Sequence, residues 1–161
     1  MESRFNYSTK FWVRGAFVAA LYAVLAMAFP MFSYGFVQFR LSEALVLLPL
    51  FFTEAIPGLA LGCFIANLGS PFGVIDVVLG TLCTLVAAFL THKWRDRPIL
   101  AALAPILING FGVSAYVAYF SQELYWLTAL SITFSETVVV AAVAAPLTYM
   151  LVQKASFFTR S

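Results

Sequence analysis

The chain has 161 residues, of which 63% are hydrophobic, 17% aromatic and only 10% charged. A soluble domain carries about 25% charged residues, and the mean hydropathy of +0.96 puts the sequence in the membrane class. The net charge of +2, without any long basic run, excludes a nucleic-acid surface.

The first span is expected over about Trp12 to Met31. Arg4, Lys10 and Arg14, followed by an apolar run and Ala26-Met27-Ala28, imitate a cleavable signal peptide. The run continues through Phe29-Pro30-Met31-Phe32, however, so a span is the better reading. Gly15, Ala19 and Ala23 recur every four residues, with Ala16 and Ala20 beside them. A small-x-x-x-small stripe lets helices approach closely in lipid. Spacing alone leaves open whether the neighbour is another protein or the same bundle. Pro30 ends the helix, and a polar, aromatic loop with Tyr34, Phe36 and Gln38 leads to Arg40.

Two short apolar runs follow, Ser42–Thr53 and Pro57–Leu68. As α-helices each reaches only about 18 Å, whereas a full span takes about 20 residues. They are tilted short helices buried by neighbours or a re-entrant hairpin. Ser42 reads as a helix N-cap, and Glu54 with Pro57 as a polar turn before the next helix. Asn67 to Gly73 is a loop by composition.

The fourth span runs from about Val74 to Thr91, with Asp76 in its first turn, where a carboxylate complements the helix dipole. The charged cluster His92 to Pro98 follows, and His92 reads as a solvated loop histidine. The fifth span covers about Ile99 to Phe120 and carries Asn109 and Tyr116 on one face. The sixth covers about Trp126 to Val152. Glu136 lies roughly 15 Å from its start, close to the bilayer midplane. Cys63 and Cys83 stand in apolar runs without C-x-x-C spacing and read as packing residues.

The expectation is therefore an all-α membrane protein, a single domain over residues 1–161. It is a six-transmembrane-helix bundle whose second and third helices are short. Lys and Arg in short loops mark the cytoplasmic side. With six crossings, eight of the nine basic residues fall on one side and Arg40 alone on the other. Both termini are then cytoplasmic, in a multi-pass protein of the cell membrane.

A carboxylate at the centre of a span costs about 2.5–3.5 kcal/mol on insertion scales. Glu43, Asn67, Asp76, Asn109 and Glu136 therefore call for a reason. Several have a structural alternative: Arg40 with Glu43 as a simple ion pair, Asp76 as a helix-end carboxylate, Asn109 as a helix-to-helix hydrogen bond. Together they suit an outward-open pocket for a flat polar heterocycle. Arg40, Glu43, Asn67, Asp76, Asn109 and Glu136 would supply polar groups, with Gln38 at the rim. Tyr34, Phe36, Tyr116, Tyr125 and Trp126 would supply aromatic faces. No Ser/His, Cys/His or metal-ligand cluster supports an enzyme, so no cofactor or metal is expected. No phosphate-binding G-x-x-x-x-G-K-[ST] loop supplies energy.

Three linked stretches carry a resemblance: Gln38-Phe39-Arg40-Leu41-Ser42-Glu43-Ala44-Leu45, then Ile56-Pro57-Gly58-Leu59-x-Leu61-Gly62-Cys63-x-x-Ala66-Asn67, then Gly73-x-Ile75-Asp76-x-x-x-Gly80-Thr81-x-x-Thr84-Leu85. They resemble the QueT family of queuosine-precursor transporters, substrate-binding (S) components of energy-coupling-factor importers. The resemblance implies a six-helix bundle that binds a 7-deazaguanine precursor or queuine from outside. It implies a transmembrane coupling subunit and two cytoplasmic ATPases as partners. It also implies that an Ala-x-x-x-Ala stripe on the first helix, Ala19 with Ala23 or Ala16 with Ala20, meets the coupling subunit.

Overall fold

A chain this apolar must satisfy its backbone polar groups internally, and helices do so within one segment. The computed structural model describes residues 9–28, 39–146 and 149–150, and among these every regular element is helical. In chain order they are α1 (Thr9–Ala28), a 3-10 segment (Leu41–Leu50), α2 (Ala55–Asn67), α3 (Asp76–Lys93), α4 (Pro98–Ser121) and α5 (Tyr125–Ala144). By length and composition α1, α3, α4 and α5 can each cross a membrane, whereas Leu41–Leu50 and α2 are shorter apolar elements.

The first short run is not an α-helix. It forms 3-10 turns over Leu41–Leu45 and Leu48–Leu50, helped by Pro49, which has no N–H to give an α-helix. A 3-10 helix rises about 2.0 Å per residue, so ten residues reach about 20 Å, against about 15 Å for an α-helix. Every residue from Ser42 to Pro49 is buried, so the segment runs through the interior. Leu45 and Leu48 pack with Val18, Tyr22, Leu59 and Cys63 on one side. Val46 and Leu47 pack with Ile106, Val140 and Ala144 on the other. Ser42 is not the N-cap expected of it. Arg40 holds that position, and the buried Ser42 hydroxyl has no hydrogen-bond partner among the described residues.

α1 and α2 run side by side in the same direction, in backbone contact. A Cβ at Gly58 would stand 2.7 Å from the Gly15 carbonyl oxygen; one at Gly62 would stand 2.7 Å from both the Ala19 carbonyl oxygen and Tyr22 Cβ. Small residues on both helices permit this approach. Part of the small-residue stripe on α1 thus has its neighbour within the chain. Ala19 and Ala23 are only 2% and 6% exposed, because α2 already covers that face, whereas Ala16 and Ala20 face outward.

Two ties close the opposite end of the bundle. Arg14 on α1 lies 3.1 Å from Glu54 in the turn before α2. His92, at the end of α3, has Nδ1 2.7 Å from the Pro49 carbonyl oxygen and is half-buried. It is a tether rather than a solvated loop residue, since the 3-10 segment ends against its helix. Cys63 and Cys83 are free thiols. Three π-helical turns interrupt the long helices, at Asp76–Gly80, Ile108–Val113 and Val140–Ala144, and the first two carry Asp76 and Asn109.

Gly62→Leu should destabilise the chain by about 1–3 kcal/mol, the usual cost of overpacking. Ala20→Leu, on the outward face, should leave stability unchanged. Thermal unfolding of both variants in detergent checks the pair.

Candidate functional site

The polar residues gather where the 3-10 segment begins, α2 ends and α3 starts. Arg40 and Asp76 form an ion pair with Nη2 3.6 Å from Oδ2, their side chains 9% and 0% exposed. Asp76 is therefore no solvated helix-end carboxylate. The Tyr116 hydroxyl donates to Asp76 Oδ1 at 2.5 Å. Asn67 Nδ2 donates to the Asp76 backbone carbonyl at 2.9 Å and lies 3.3 Å from Cys63 Sγ. Thr84 donates to the same sulfur at 3.2 Å.

Gly80 explains how three polar groups fit here. A Cβ on it would lie 2.7 Å from Asn67 Nδ2, 2.9 Å from Asp76 Oδ1 and 3.1 Å from the Tyr116 hydroxyl. Any side chain would displace the cluster. The π turn over Asp76–Gly80 brings the carboxylate and the bare glycine to the same side. Such turns recur at functional sites.

One layer deeper lies a second cluster. Glu136 on α5 accepts a hydrogen bond from Asn109 Nδ2 at 3.0 Å. Glu43 accepts one from the Tyr22 hydroxyl at 2.5 Å through Oε1. Its Oε2 is buried and has no hydrogen-bond partner among the described residues. Arg40, Glu43, Asn109 and Glu136, with Val113 and Ile132, line one small cavity of about 10 Å³, room for about one water molecule. Among the described residues three carboxylates thus surround a single guanidinium, and residues 29–38 add no charge. By residue type the site holds more carboxyl groups than cations, and it presents both a buried acceptor and an amide.

Seven of the residues singled out from sequence meet here: Arg40, Glu43, Asn67, Asp76, Asn109, Tyr116 and Glu136. Trp126 does not. It is 69% exposed at the first turn of α5, edge-on to Tyr125 with ring centroids 5.1 Å apart, because the face of α5 that meets the core begins at Thr128. Tyr116 is no open lid either, since it is buried with Val113, Val117 and Ile132. Gln38, Tyr34 and Phe36 lie outside the described residues. An outward-open pocket large enough for a heterocycle is not found among the described residues, where the walls close to a space for about one water. Two hydroxyls on α5 serve their own helix: Thr128 donates to the Leu124 carbonyl and Ser135 to that of Ser131.

Tyr22 was missed. Its signal was available: a phenol inside an apolar span needs a hydrogen-bond partner, and it lies three residues after Ala19 on the face that packs inward.

Removing one member of a buried ion pair costs about 3–5 kcal/mol, mostly from the charge left behind. Asp76→Ala should lose stability on that scale, and Arg40→Met with Asp76→Leu should lose clearly less. Denaturation of the purified variants compares them.

Over 84 residues the chain is 44% identical to the protein named Queuosine precursor transporter QueT of Lactococcus lactis subsp. cremoris (strain MG1363). That alignment covers 51% of this chain and 49% of the relative, so the chain spans about half the length of the curated relative it matches. No solved structure matches. The family model described as QueT transporter matches residues 12–153, a range that contains every polar group of the cavity, and the chain belongs to that family of transporters.

Proposed function

We propose that this chain captures a 7-deazaguanine precursor of queuosine at the outer face of the membrane. The candidates are the aminomethyl form preQ1, the nitrile form preQ0, or queuine. It would do so as the substrate-binding subunit of an energy-coupling-factor importer. The observation that carries this is the cavity bounded by Glu43, Asn109 and Glu136 beside the Arg40–Asp76 pair. A guanine-like edge offers adjacent N–H donors to a carboxylate and a carbonyl to an amide N–H, and charged acceptors make the stronger hydrogen bonds. The surplus of carboxylates favours precursors that carry an amine over the neutral nitrile. A two-ring heterocycle is far larger than one water, so capture requires the walls to part. The π turns at Asp76–Gly80 and Ile108–Val113 are where the helices carrying those walls are least regular.

The orientation rests on both ends of the bundle. Arg14, Lys93, Arg95 and Arg97 stand at the end tied by Glu54 and His92, while Arg40, Asn67, Asp76 and Tyr116 stand at the other. Basic residues mark the cytoplasmic side, so the site faces outward. Six crossings with both termini cytoplasmic follow if Leu41–Leu50 and α2 count as two short spans.

ATP-driven uptake needs a transmembrane coupling subunit and two cytoplasmic ATPases. With Ala19 and Ala23 covered by α2, the face left for such a partner carries Ala16 and Ala20. Beside it runs an apolar groove of about 580 Å³ lined in part by Val13, Phe17 and Leu48, with Arg14 and Glu54 at its edge.

Two measurements test the reading. Glu136→Gln should weaken binding of the aminomethyl precursor at least tenfold, about 1.4 kcal/mol, in calorimetry on the purified chain. Unchanged affinity removes Glu136 from the site. Ala16→Trp or Ala20→Trp should abolish uptake in cells while leaving binding intact. Uptake that survives both means this face meets lipid, and flux in liposomes holding the chain alone points instead to an uncoupled carrier.

A further inference from the structure

From this geometry we infer that Tyr22 is a positioning residue for ligand recognition, which fixes Glu43 so that its second oxygen meets the ligand. The inference rests on the proposed binding of a deazaguanine at this cavity and names a residue that the polar-residue reading leaves out.

A glutamate reaches its ligand through three rotatable bonds, and its terminal torsion is broad. A carboxylate that must receive an N–H in one direction therefore needs a fixed partner on its other oxygen. Tyr22 is that partner. It lies on α1, 1% exposed, and its hydroxyl donates to Glu43 Oε1 at 2.5 Å. The ring cannot swing away, because Gly62 lets α2 pack directly on Tyr22 Cβ and Val18, Leu45, Leu59 and Cys63 surround it. A phenol held on both faces is a stiff support for a flexible acid.

The other oxygen is the one left to act. Glu43 is 2% exposed and lines the cavity, and Oε2 has no hydrogen-bond partner among the described residues. A buried unpaired carboxylate oxygen is costly to keep. A ligand N–H or ammonium group would satisfy it.

The same bond joins the site to α1, the helix whose outward face carries Ala16 and Ala20. The charged Arg14 of α1 pairs instead with Glu54 at the far end.

The test is a double-mutant cycle on the purified full chain, read by calorimetry with 7-aminomethyl-7-deazaguanine and by thermal unfolding. Tyr22→Phe keeps the ring and removes the donor. It should weaken binding at least tenfold with little change in unfolding temperature. In the Glu43→Gln background the same change should cost no further affinity, because the group it positions is already altered. Affinity within about twofold of wild type for Tyr22→Phe overturns the inference. So does a Tyr22→Phe loss that multiplies with that of Glu43→Gln, since Tyr22 then acts elsewhere. If Tyr22→Phe alone does not fold, the double variant compared with Glu43→Gln decides on the same criterion. A wild-type chain that binds neither this compound nor its nitrile analogue nor queuine overturns the functional reading itself, which is a different outcome from wild-type binding with an indifferent Tyr22.

Discussion

A guanidinium and a carboxylate deep in an apolar bundle survive only as a pair whose remaining hydrogen-bonding atoms are also engaged. The Arg40–Asp76 contact is the pair here, with Asp76 Oδ1 held in addition by the Tyr116 hydroxyl. Arg40 leads into the 3-10 segment, Asp76 opens α3, Tyr116 brings in α4 and Asn67 the end of α2. Four elements are pinned at one point, and Gly80 supplies the space in which they meet. Arg40 also lines the cavity with Glu43, Asn109 and Glu136, so the ion pair and the cavity share one wall.

The second constraint is backbone contact between α1 and α2. In lipid there is little hydrophobic drive between helices, so close approach through small residues carries the association. Gly15 and Ala19 spend their small size on Gly58 and Gly62, within the chain. The face filled by α2 is covered within the chain, whereas the neighbouring face with Ala16 and Ala20 is exposed. The contact between α1 and α2 also seats Tyr22 against Glu43, so the packing that orders the first helix orders one wall of the site.

A third feature is the central 3-10 segment. Apart from Ser42 and Glu43 it is apolar, with Leu45 and Leu48 packed on one side and Val46 and Leu47 on the other, and its steeper rise lets ten residues go as far as thirteen in an α-helix. Both of its ends are held by charge or hydrogen bonds: Arg40 with Asp76 at one, the Pro49 carbonyl with His92 at the other. A short segment can thus join the two ends of the bundle without matching the length of its neighbours.

The sequence alone determined the class and named the candidate site residues. Its hydropathy required helices, its long apolar runs marked four of them, and the cost of polar atoms in hydrocarbon singled out Glu43, Asn67, Asp76, Asn109 and Glu136, with Arg40 read beside Glu43 and Tyr116 as an aromatic face. Those arguments rest on what a residue costs in a given solvent, which composition and spacing reveal. The tertiary structure decided who pairs with whom. Arg40 pairs with Asp76, 36 positions away, and Glu43 accepts from Tyr22, contacts between elements that no local spacing encodes. It turned Trp126 outward, although an aromatic at a helix start reads the same on either face. It gave the Ala19 and Ala23 stripe to α2, because identical small-residue spacing serves an internal and an external neighbour equally. Local cost is written along the chain, whereas the choice among partners of equal chemistry is made only when the helices pack.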